Sequence, residues 1–151
     1  MKKWKRPVKK TLKQMIVQRD SARLVHYLLR LVVILILIAQ VLNVHGARVH
    51  LFGRHPDKLA IAARAGVETE LSAGTLPRSA YRWVVDATGS TEGFHQAAAM
   101  TEPRGTLILK STVHGTVAVD TAPLIVNEIT LVGSRCGRFE PALKMLATGK
   151  L

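Results

Sequence analysis

The sequence predicts an α/β protein built on a parallel sheet and preceded by a basic extension. Three observations carry this. Short apolar runs recur from Arg48 onward, separated by stretches of about ten residues with helical spacing, and that alternation implies βαβ units. Ten of the 22 Lys and Arg fall within the first 30 residues against one acid, Asp20, so the net charge of +12 belongs largely to an N-terminal arm. Hydrophobic residues make up 48% of 151 residues, enough for one domain with a packed core.

Residues 1–23 form the arm, MKKWKRPVKKTLKQMIVQRDSAR. Charge alone can bring such a segment to anionic lipid or nucleic acid, or leave it solvated. Trp4 and Pro7 add no recognition motif, and no specific nucleic-acid partner is expected.

Residues 24–46 are the apolar segment, with an uninterrupted run from Leu31 to Ala39 bracketed by His26, Arg30, Gln40 and Asn43. A bilayer-spanning helix needs roughly 20 mainly apolar residues, so the run is short for one. Two readings stand: part of Leu31–Ala39 is the first buried strand of the sheet followed by a helix, or 24–44 is one long helix that reaches a membrane.

Residues 47–151 hold the alternating pattern. Arg48–Phe52 reads as a strand. Asp57–Ala65 reads as a helix, with Pro56 at its start and Gly66 at its end. Trp83–Ala87 reads as a buried strand, Thr91–Met100 as a helix, Gly105–Leu109 and Ile129–Val132 as strands, and Phe139–Thr148 as a terminal helix. One parallel sheet holding Arg48–Phe52, Trp83–Ala87 and Gly105–Leu109 is the expected core.

Ligands of such sheets bind at the carboxyl ends of the strands. The residues just past the strands are Gly53, Arg54 and His55; Thr88, Gly89 and Ser90; Lys110 and Ser111; and Gly133 and Ser134. Small residues recur there, and they let a ligand approach the backbone closely. Gly and Ser also mark ordinary turns; recurrence at successive strand ends favours a cleft.

Three stretches carry a family resemblance. LIAQVLNVHGARVHLFGRHPDKLAIAARAGVE looks like the helix, second strand and following helix of the cofactor domain of the medium-chain, zinc-type alcohol dehydrogenases. VVDATGSTEGFHQAAAMTEPRGTLIL looks like its later strand, Asp-Ala-Thr-Gly turn, helix and next strand. VNEITLVGSRCGRFEPALKMLATGKL looks like its final strand and helix. Together they cover about two thirds of the chain, in the family's order. The resemblance implies an incomplete Rossmann-like domain. It also implies descent from an NAD(P)-dependent oxidoreductase of alcohols or polyols, in which hydride passes between the nicotinamide and an alcohol carbon held by a separate catalytic domain. It implies a cytoplasmic location as well.

The chain departs from the family in ways that bear on chemistry. The Gly-x-Gly-x-x-Gly turn would fall at Arg30, Val32 and Leu35, none of them glycine, and branched side chains there block the approach of the pyrophosphate. The match starts abruptly near Leu37, below a basic stretch, as an altered start or reading frame would leave it. The sequence holds no counterpart of the catalytic domain, and it stops before the family's usual C-terminal elements. Alcohol turnover by the chain alone is therefore not expected, nor is zinc: His26, His45, His50, His55, His95 and His114 have no metal-motif spacing, and catalytic zinc needs three convergent protein ligands.

The cofactor residues implied are Gly53, Arg54, Lys58, Thr88, Gly89 and Gly133. NAD enzymes place an acid at the end of the second strand to hold the ribose 2′-hydroxyl. Gly53 stands there instead, with Arg54 beside it and Lys58 one turn on, which fits a 2′-phosphate and hence NADP rather than NAD. Two solvated charges are the plainer reading. Binding is expected to be weak or absent. Asp86 reads as a structural hydrogen-bonding group rather than a base. The single cysteine, Cys136, excludes an internal disulfide and reads as a passive thiol beside Arg135 and Arg138, with a reactive thiol the alternative. Expected partners are a second copy through the ITLV region, a catalytic domain supplied in trans, or a membrane through 24–44.

Overall fold

The structure, a computed structural model, describes residues 33–111, 118–135 and 137–149. The basic arm, the first part of the apolar segment, His26, His114 and Cys136 lie outside the described residues, and so do the expectations attached to them.

Residues 33–44 form helix α1. Strand β1 (His50–Gly53), helix α2 (Pro56–Arg64) and strand β2 (Glu68–Leu71) follow. Then come β3 (Tyr81–Asp86), α3 (Thr91–Met100), β4 (Thr101–Leu109), the short α4 (Ala122–Val126), β5 (Thr130–Gly133) and α5 (Phe139–Ala147). Every strand pairing is parallel: β1 with β2, β3 with β4, and β4 with β5.

The expected elements appear with shifted ends, and two more join them. β2 reads ETEL, whose polar residues hide it from an apolar-run search, and α4 is only five residues long. β4 begins four residues before Gly105 because Thr101 already pairs with Tyr81. The ladder then slips, and Trp83 pairs with Thr106.

The expected first strand within Leu31–Ala39 is not formed over residues 33–39, which are helical. A continuous apolar run does not distinguish a buried strand from a helix. Without the glycine turn, nothing here ends a strand and starts a helix. Ile36 and Ala39, one turn apart, face a core with Leu51, Leu59, Ala62 and Val67. The run is not buried on every side, however: Val33, Ile34 and Leu37 are exposed.

The single expected sheet is instead two, β1–β2 and β3–β4–β5. The doubly wound order 3-2-1-4-5-6 explains the break. β1 and β2 take the second and third positions, and β3, β4 and β5 the fourth to sixth. The place between β1 and β3 belongs to the first strand, which no described residue supplies. Side chains bridge it. The Tyr81 hydroxyl shares a 2.8 Å hydrogen bond with His50 Nδ1, and Phe52 meets the Tyr81 ring edge-on at 6.0 Å. His50 Nε2 lies 3.3 Å from a Glu70 carboxylate oxygen. Burial, with the charges of Glu70 and Glu68 adding to it, holds the Tyr81 phenol above its ordinary ionisation range.

Each half has its own core. Helix α2 closes with a paired C-terminal turn: Gly66 N–H reaches the Ala63 carbonyl, and Val67 N–H reaches that of Ala62. The second core joins Phe94, Ala97 and Ala98 of α3 to Leu107 of β4, with Val84, Leu109, Leu124 and Ile129 against them.

Candidate functional site

Parallel pairing brings the carboxyl ends of β3, β4 and β5 to one edge, with Asp86, Leu109 and Gly133 in one row. Just beyond it the backbone is tied across all three strands. Lys110 N–H donates to the Asp86 carbonyl at 2.8 Å, and Ser134 N–H to the Leu109 carbonyl at 2.9 Å. The Lys110 ammonium reaches the Arg135 carbonyl at 2.9 Å.

The turn after β3 is built around Asp86, whose side chain is buried. Its Oδ1 accepts from Thr88 N–H at 2.8 Å and from the Thr88 hydroxyl at 2.7 Å, a local turn of the kind Asp favours. That leaves Asp86 a structural role in this arrangement. Gly89 follows at φ +67°, where a side chain is strained, and its N–H donates to Ser111 Oγ at 2.8 Å. Ser90 caps α3 by accepting from Gly93 N–H at 3.0 Å. A Cβ at Gly93 would run into the Thr88 side chain, so this glycine is what lets Thr88 fold back over the start of the helix. Sequence reasoning missed Gly93; its signal was a glycine inside a helical pattern, which often marks close packing. Ser111 stood at a strand end in the sequence, but its bond to Gly89 depends on the pairing of β3 with β4.

Of the expected cofactor residues, Thr88, Gly89 and Gly133 therefore share one edge. Around Gly133 a Cβ would meet no atom within 4 Å, so the backbone there is open to approach. Gly53, Arg54 and Lys58 lie at the end of β1 and in the first turn of α2, on the other sheet. Gly53 has a packing reason of its own, since a Cβ there would sit 3.0 Å from Leu59. Arg54 is exposed and Lys58 half-buried. Among the described residues no three His, Cys, Asp or Glu side chains gather as a metal would need.

The fit to a dinucleotide is partial. Leu35, one of the three glycine positions of the phosphate turn, is a half-buried residue of α1 packed against the first core. A helix carrying a leucine there offers no cradle for a pyrophosphate.

The zinc-binding dehydrogenase family profile matches residues 35–148. No curated protein matches the sequence. Among solved structures, L-idonate 5-dehydrogenase from Escherichia coli superposes with a TM-score of 0.70 at 19% identity, over 77% of this chain and 36% of that one. A protein from Sinorhizobium meliloti described as a zinc-binding dehydrogenase and bound to NADP superposes at 0.67 and 21% identity, over 77% and 39%. An alcohol dehydrogenase from Escherichia coli complexed with NADH superposes at 0.65 and 16% identity, over 77% and 38%. The chain thus spans less than two fifths of the length of these structures.

Proposed function

The chain belongs to the zinc-binding dehydrogenase family, and from that membership we propose that it is an NADP-preferring cofactor-binding module that does not oxidise alcohols by itself. The fold is that of an alcohol dehydrogenase-like, medium-chain NAD(P)-binding domain, and relatives bind NADP or NADH. The observation that carries the reading is the carboxyl edge, where Asp86 holds Thr88, the Ser111 hydroxyl holds Gly89, and Gly133 ends the strand paired with Leu109. Arg54 and Lys58 are the groups suited to a 2′-phosphate, and no acid stands at the end of β1 to prefer a free ribose hydroxyl. Leu35 within α1 argues for weak affinity, because the pyrophosphate has no cradle.

Catalysis in this reading needs a substrate-holding domain supplied by another chain. A second copy is a further proposed partner. β5 is an edge strand of its sheet and exposes Leu131 and Val132, which supports association through the 129–132 region. Among the described residues no helix is long and apolar enough to cross a membrane. The cytoplasm remains the location that family membership suggests.

Purified protein incubated with NADP or NAD, a panel of alcohols and polyols, and zinc is expected to show no change in nicotinamide absorbance. Zinc-dependent turnover of any of these alcohols would contradict the reading.

A further inference from the structure

Among the described residues, the helices that pack on the β3–β4–β5 sheet, α3 and α4, lie on one face. Val84, Leu107 and Leu109 face the core that α3 and α4 complete. The register places Val85, Ile108 and Val132 in one row on the opposite face, with Trp83 one row behind. Val85 and Ile108 are half-buried and belong to neither core, and Trp83 and Val132 at the flanks are 65% and 41% exposed. Parallel sheets are ordinarily covered on both faces, so a bare face carrying a tryptophan needs a cover.

The same chain carries a surface of the matching kind. α5 packs substantially on no other element among the described residues. Leu143 and Leu146, one turn apart, are 61% and 57% exposed, while Glu140 and Lys144 lie together on another side of the helix. α5 is thus amphipathic, with an apolar stripe that has no partner. Its nine residues give a length of about 13 Å, and three strands span about 10 Å between their outer axes. The two rows of the bare face hold no charged residue, so the stripe meets no desolvated charge there.

We propose that α5 of one copy covers the bare face of a second copy, and reciprocally, giving a closed two-fold dimer by exchange of the C-terminal helix. A second copy is the occupant because each chain presents both complementary surfaces, and neither has a partner among the described residues. A reciprocal exchange satisfies two such pairs at once and closes without open-ended polymerisation. This contact uses the face of β5 and not its edge, so it is distinct from edge-to-edge pairing of that strand.

Complementation tests it. One variant removes the helix surface, Leu143→Glu with Leu146→Glu. Another removes the sheet surface, Trp83→Glu. All substituted side chains are largely exposed, and circular dichroism checks that both variants remain folded. Light scattering on a sizing column is expected to give a dimer for the wild type, half that mass for each variant alone, and a dimer again when the two variants are mixed, since one intact helix-to-face pair remains. In a Trp4→Phe background, Trp83 emission is expected to shift to the red on dilution. A dimer that survives in either variant alone overturns the proposal in favour of another interface, such as the β5 edge. A monomeric wild type with blue-shifted Trp83 emission overturns it in favour of α5 folding back on its own sheet. Variants that fail to associate on mixing at the highest soluble concentration also overturn it.

Discussion

The half built on β3, β4 and β5 and the half built on β1 and β2 differ in how their strand ends are tied. In the first, Asp86 holds Thr88, Ser111 holds Gly89, and Lys110 spans to Arg135, so the carboxyl edge is fixed across three strands. In the second, Ser72 N–H bonds the Gly53 carbonyl at 2.8 Å, α2 starts at His55 without a side-chain cap, and Arg54 stands exposed. The strand that would join the halves is not found among the described residues, and Tyr81, His50 and Phe52 bridge its place. A dinucleotide site spans both halves of such a fold. The difference teaches that, in the proposed reading, one end of a cofactor meets a preset edge while its pyrophosphate meets no cradle.

Truncating the core of the ordered half should have the largest effect. Leu107 is fully buried, so Leu107→Ala is expected to cost about 2–5 kcal/mol, measured by urea unfolding. Leu51→Ala in the other core should fall at the low end of that range, because its cluster is covered partly by a helix with an exposed apolar side. A Leu51→Ala cost equal to or above that of Leu107→Ala would break the comparison.

Gly93→Ala tests the edge itself. The new Cβ must displace Thr88, at a cost of about 1–3 kcal/mol, and Thr88→Gly in the same chain should recover part of it. Melting temperatures of the two single variants and the double variant measure the coupling. Additive effects would show that Thr88 is not held by this contact.

Much of this was legible in the sequence. Parallel strands, the order of elements and the strand-end residues follow from apolar runs, turn residues and the Asp-Ala-Thr-Gly stretch. Three features were not legible, each for a physical reason. ETEL pairs through its backbone while its side chains stay polar. The apolar run at 33–39 suits strand or helix equally, and only packing of Ile36 and Ala39 against Leu51 decides. A glycine inside a helical pattern marks position 93, but its partner, Thr88, is set by a three-dimensional approach that no periodicity reveals.

The bridge between the halves makes a smaller, pH-dependent contribution. The Tyr81 phenol has a raised pKa in the folded state, so its neutral form is favoured there. That contribution is fully present below the ordinary tyrosine range near about 10 and is lost as pH rises through it toward the folded value. Stability is therefore expected to fall with alkalinity above that range, and Tyr81→Phe should flatten the fall. At neutral pH the same substitution should cost about 0.5–1.5 kcal/mol for the bond to His50. Chemical denaturation across alkaline pH, with Tyr27→Phe as background, follows it; an unchanged slope in Tyr81→Phe would assign the fall to another group.

The most direct measurement of the central claim is a calorimetric titration of the purified chain with NADP and with NAD, repeated on Arg54→Ala. The account predicts weak binding of both, with NADP favoured by about tenfold, or roughly 1.4 kcal/mol, and the preference lost in Arg54→Ala. Equal or tighter binding of NAD, or a preference for NADP that survives Arg54→Ala, would contradict it.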